Sequence, residues 1–189
     1  MTWTGDECRE LAREFLGDLG PRWAHVQSVA EAVAPWRIAP ETMELITEAA
    51  WLHDIGYAPA LRDTGMHAID GARFLDRDGA PKILVSLVAF HTGAEQEADE
   101  RGLMHELMDF DRPDQDDLDL LILADLVSGP DGQRLNPTER LDEIFDRYEP
   151  LHPVHRAVSR SRPYLEACAQ RAAARVGYPM YGAARPSMA

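Results

Sequence analysis

Apolar residues recur at helical spacing along nearly the whole chain, and no convincing strand pattern interrupts them. That feature restricts the fold to helices packed on helices. Leu11, Phe15, Leu16 and Leu19 share one face of a first helix expected over 5–19. Pro21 suits the first turn of a second helix, which carries His25, Val26, Val29, Ala30 and Val33 and stops at Pro35. A third starts at Pro40, points Met43, Ile46, Ala50 and Leu52 inward, and ends in His53-Asp54-Ile55-Gly56, with Gly56 as the stop. A loop over 57–65 then leads to a short helix over 66–75, broken by Asp78-Gly79. Further helices are expected over 81–91 (apolar), 95–109 (acidic), 114–127, 137–148 and 154–176. Asn136, Pro137 and Glu139 form an N-cap, N1 and N3 set for the segment from 137. The expectation is a single all-α helical bundle over 1–177, with a loose Pro/Gly-rich tail over 178–189.

A chain of 189 residues is long enough to bury one core. Its 45% hydrophobic and 28% charged residues fit a soluble globular protein. No apolar run approaches the roughly eighteen residues of a membrane span, and the first residues lack a signal-peptide pattern. No membrane partner and a cytoplasmic location are therefore expected. A net charge of −14 argues against duplex nucleic acid as a partner. A small phosphorylated substrate remains compatible with that charge if a metal inverts the local field. Cys8 and Cys168 form no CxxC pair and read as buried thiols. No GxGxxG, Walker A, GxSxG or HExxH pattern occurs.

Chemistry concentrates where metal-competent residues meet apolar runs. His53-Asp54 follows Ala49-Ala50-Trp51-Leu52, and a carboxylate at the inner end of a buried helix is costly without a partner. Together the pair offers nitrogen and oxygen donors suited to zinc, manganese or iron. His25 lies on the apolar side of its helix beside Val26 and Val29. Asp125 closes the run Leu120 to Ala124. Each has a plainer reading: a hydrogen-bonded core histidine for His25, a solvent-facing helix-end acid for Asp125. Three separate helices bearing such residues make the joint coincidence harder to dismiss than any one.

The order His25, His53-Asp54, Asp125 resembles the H…HD…D signature of HD-domain phosphohydrolases. WLHDIGY over 51–57 is similar to the block that carries the motif in that family, and HAIDGARFL over 67–75 resembles the "HxxxGAxxL" block of HD-GYP phosphodiesterases. VAFHTG over 88–93 and LILAD over 121–125 resemble blocks of the HD-type diadenosine tetraphosphate hydrolases. The resemblance spans about residues 20–130. It implies that His25, His53, Asp54 and Asp125 hold one ion, and that His67 and His91 complete a second site with Asp54 bridging. The implied cofactor is one or two divalent transition-metal ions (iron, manganese, zinc, nickel or cobalt), and the implied activity is hydrolysis of a small phosphate ester, with Asp54 catalytic as ligand and local proton acceptor. Many relatives have lysine where Tyr57 stands, which leaves phosphate binding to arginines. Arg62 and Arg134 are the first candidates, with Arg156 or Arg160 further possibilities. The same ligand set also resembles that of HD-type di-iron oxygenases, and a metal-stabilised binding domain without catalysis is a third reading. His105, His152 and His155 match no block and read as surface or packing residues.

Overall fold

Prolines and capping side chains mark where the helices begin. The computed structural model describes residues 2–180, and Pro21, Pro40, Pro137 and Pro153 each stand in the first turn of a helix, where a missing N–H costs nothing. These helices are α2 (Pro21–Val33), α3 (Pro40–Leu52), α9 (Pro137–Arg147) and α10 (Pro153–Val176). The others are α1 (Gly5–Leu16), α4 (His67–Arg77), α5 (Lys82–Phe90), α6 (Ala94–Arg101), α7 (Met104–Leu107) and α8 (Gln115–Leu126). No strand occurs among the described residues, where one isolated bridge joins Ser128 and Arg134, so the fold is all-α. Asn136 and Glu139 form a reciprocal capping box at α9, with both bonds at 2.9 Å.

Two boundaries differ from the sequence expectation. α1 ends at Leu16 rather than near residue 19. The acidic segment expected as one helix over 95–109 is two, because Gly102 takes a left-handed φ of 71° and ends α6. The expected loop over 57–65 is tightened by 3₁₀ turns at Ile55–Tyr57 and Pro59–Leu61. Of the tail, residues 181–189 lie outside the described residues; Tyr178 donates its N–H to Ala173 at 2.9 Å.

α8 is the hub. Leu118 to Leu126 are buried on every side, as a helix surrounded by others must be. It packs against α2, α3, α5, α9 and α10. Among the described residues no helix is long and apolar enough to cross a membrane. Cys8 and Cys168 are buried and unpaired, their thiols pushed up by burial to about 12 and about 11.

Candidate metal centre

Five segments deliver the histidines and acids to one place. His25 projects from α2, and His53-Asp54 sit where α3 gives way to the 3₁₀ turn. Asp54 holds φ −101° and ψ 8°, the bridge region in which site residues are often found. His67 opens α4, His91 follows α5, and Asp125 lies in the last turn of α8. Gly56 lets the turn after Asp54 cross directly over the start of α4. A Cβ there would lie 2.0 Å from the carbonyl oxygen of His67, so any side chain would push the two apart.

The histidine rings are oriented from behind. Nδ1 of His25 meets the Gly129 carbonyl at 3.1 Å, Nδ1 of His53 the Ala50 carbonyl at 2.8 Å, and Nδ1 of His91 the Val88 carbonyl at 2.6 Å. A carbonyl can only accept, so each Nδ1 carries a hydrogen and each ring turns its Nε2, the atom a metal would take, inward. His25 and His53 thus face each other through Nε2 atoms 3.4 Å apart; burial pushes the His53 pKa down, but the Asp54 carboxylate outweighs it and raises it. Two such nitrogens that close repel unless a proton or a cation lies between them.

Asp54 stands between two such groups. Its Oδ2 is 3.4 Å from His53 Nε2 and 3.7 Å from His25 Nε2. Its Oδ1 is 3.4 Å from His67 Nε2 and 3.8 Å from His91 Nε2, themselves 3.1 Å apart. Asp125 Oδ1 lies 3.1 Å from His25 Nε2 but outside the tight set formed by His25, His53 and Asp54. Donors about 2.1 Å from one ion stand roughly 3.0–3.4 Å from each other. Most of these separations fall in or near that range, so the residues fit a divalent metal in both groups. All the donors are buried except His67, whose side chain is 15% exposed at the cavity wall.

The family model described as HD domain matches residues 8–150. This chain belongs to the HD domain family. As a family, HD domains are metal-dependent phosphohydrolases. No curated protein and no solved structure matches the chain.

Electrostatics keep the acids of the HD centre ionised. Burial pushes the Asp54 carboxyl up, but Arg22 and then His53 outweigh it and hold the group well below the usual carboxylate range. Asp125 is likewise held far down against burial, first by the hydrogen bond and charge of His25, then by His53 and Arg140. For His67 burial dominates and pushes its pKa well below the ordinary value, so the ring is neutral at pH 7.

The sequence motifs assign no role to Arg22, Thr92, Arg140 or Arg147, which also belong to the centre. Arg22, one turn before His25, pairs with Asp54 Oδ2 and lies 3.9 Å over the Tyr57 ring. Tyr57 in turn stacks on His67, with centroids 4.1 Å apart. Thr92 holds a left-handed φ of 53°, uncommon for a residue other than glycine, and donates its hydroxyl to Asp125 Oδ2. Arg140 and Arg147 of α9 line the same cavity as the histidines. The RxxH spacing before His25 could have pointed to Arg22; Thr92 lies within the quoted VAFHTG block.

Arg62 and Arg134 do not reach that cavity. Arg62 is exposed, donates its Nε to the Tyr57 carbonyl at 3.3 Å, and lines a separate pocket beside Tyr57 and His67. Arg134 donates to the Ser28 carbonyl at 2.9 Å and to Ser128 Oγ at 3.2 Å, fastening the loop after α8 to α2. That loop meets the centre through its backbone, at Gly129. Arg156 and Arg160 pair with Glu100 on the surface. His105 is exposed, His152 caps α10, and His155 packs edge-on against Phe145.

Proposed function

We propose that this HD domain protein is a metal-dependent hydrolase of a small phosphate ester, nucleotides among the candidates. The observation that carries the reading is the placement of Asp54, whose two carboxylate oxygens face two different pairs of histidines. In this reading His25, His53, Asp54 and Asp125 hold one ion, and Asp54, His67 and His91 hold the second. The mixed imidazole and carboxylate donors suit iron, manganese, zinc, nickel or cobalt. Bound there, such cations would lower the pKa of a ligated water and offset charge on a phosphoryl oxygen.

The protein's own groups do the rest. Asp54 is too weak a base to take a proton readily when its carboxyl is held so low, so its part is charge and placement. Arg22, Arg140 and Arg147 bring positive charge to the cavity of a strongly acidic chain, and take the role that sequence assigned to Arg62 and Arg134. Burial raises the Tyr57 hydroxyl, so Tyr57 stays neutral and supports Arg22 with its ring face.

Two measurements test the reading. Elemental analysis should find two metal ions per chain in the wild type and one in His91→Ala. A panel of phosphate monoesters and nucleotides should release phosphate with the metal-loaded wild type. Oxygen consumption in the iron-loaded protein without phosphate release would mark oxygenase chemistry instead. Tight metal with neither activity would mark a binding domain.

A further inference from the structure

We infer that Arg140 grips a phosphoryl oxygen of the substrate with its guanidinium group; the inference rests on the phosphate reading above. Arg140 projects from α9 into the cavity that holds Asp125 and Thr92, and its side chain is only 7% exposed. Buried arginines normally spend their donors within the protein. Even Arg171, which is half-exposed, gives two nitrogens to Asp119 at 2.6 and 2.7 Å. Arg140 instead pairs with Glu143 through Nη1 alone, and its Nε is buried with no partner among the described residues.

The charge balance agrees with the idle donor. Glu143 is shared with Arg147, 3.0 Å away, so two guanidinium groups that line the cavity meet one carboxylate. Ile144 and Val158 line the same wall and reduce water's screening, which strengthens a charged hydrogen bond. α9 also follows directly on the loop whose Gly129 carbonyl orients His25, so one segment carries both the support of a histidine and this guanidinium. The ligand class that answers a buried, planar, cationic donor beside a metal centre is an oxyanion, and on the reading above that is the phosphoryl group.

Titration of inorganic phosphate into the metal-loaded full chain tests the assignment by calorimetry. Arg140→Met, close to arginine in length, should bind phosphate about tenfold or more weakly than wild type, with unchanged metal per chain. Arg140→Lys should restore part of the affinity, since it keeps the charge but not the planar guanidinium. Added methylguanidinium should restore part of the affinity of Arg140→Ala, a rescue that a purely structural role would not give. Wild-type affinity in Arg140→Met overturns the assignment and leaves the phosphate reading standing. Phosphate loss that only follows metal loss also overturns it. Failure of the metal-loaded wild type to bind phosphate overturns the phosphate reading itself.

Discussion

Helix α8 carries a buried aspartate near each end, and their surroundings differ in kind. Asp119 takes two hydrogen bonds from Arg171 and one, at 2.7 Å, from Gln115. A full positive charge answers it, and nothing further is needed. Asp125 meets the inward-facing nitrogen of His25 on one oxygen and the Thr92 hydroxyl on the other. No arginine or lysine is bonded to it among the described residues. Of these two, Asp119 is answered by a guanidinium and acts as a structural element, while Asp125, facing an imidazole nitrogen, is suited to hold a cation; Asp54 has both kinds of neighbour. Burial alone does not separate them, for both are almost inaccessible.

The sharpest way to break this comparison is metal content. Asp125→Asn should lose an ion per chain by elemental analysis, while Asp119→Asn should keep the wild-type number. Equal retention in both would erase the distinction. Stability should run the other way. In chelator-treated protein, Asp119→Asn should cost about 1–3 kcal/mol in urea unfolding, an amount limited because Arg171 is half-exposed. Asp125→Asn should cost less there, since no full charge is left unpaired.

A smaller effect is expected at Thr92. Thr92→Gly accepts the left-handed backbone readily, so stability should change by no more than about 1 kcal/mol. It removes the hydroxyl from Asp125, and metal affinity should fall about 10-fold. A competition titration with a chromophoric chelator measures it. The smallest effect is on acid stability. Asp54 and Asp125 have folded carboxyls held below the ordinary 3.8, so their contribution is complete above that value and is lost as pH falls through the folded values. Urea midpoints taken from about pH 5 down to about pH 2 should fall less steeply in Asp125→Asn than in wild type.

The helices were legible because their starts are written in short-range chemistry: Pro21, Pro40 and the Asn136–Glu139 box act within one turn. Gly102 was harder, since a glycine inside an acidic run is marked as a helix stop only by its φ. The six histidines and aspartates were legible through motif order, because order survives whatever the intervening chain does. The arginines were not. Arg62 and Arg134 are near the motifs in sequence, but Arg62 faces solvent and Arg134 is consumed in fastening a loop. Arg140 and Arg147 belong to a helix beyond the motif blocks, and only tertiary packing brings α9 over the centre. Proximity along the chain says little about which long side chain bends toward a cavity.

The crossing at Gly56 has a mechanical consequence. Backbone meets backbone there with no room for a methyl group, and Gly71 presses from the other side, its own Cβ position 3.1 Å from the Gly56 nitrogen. The end of α3 and the start of α4 thus touch backbone to backbone, so the spacing of Asp54 from His67 is set by main-chain contact rather than by side-chain size.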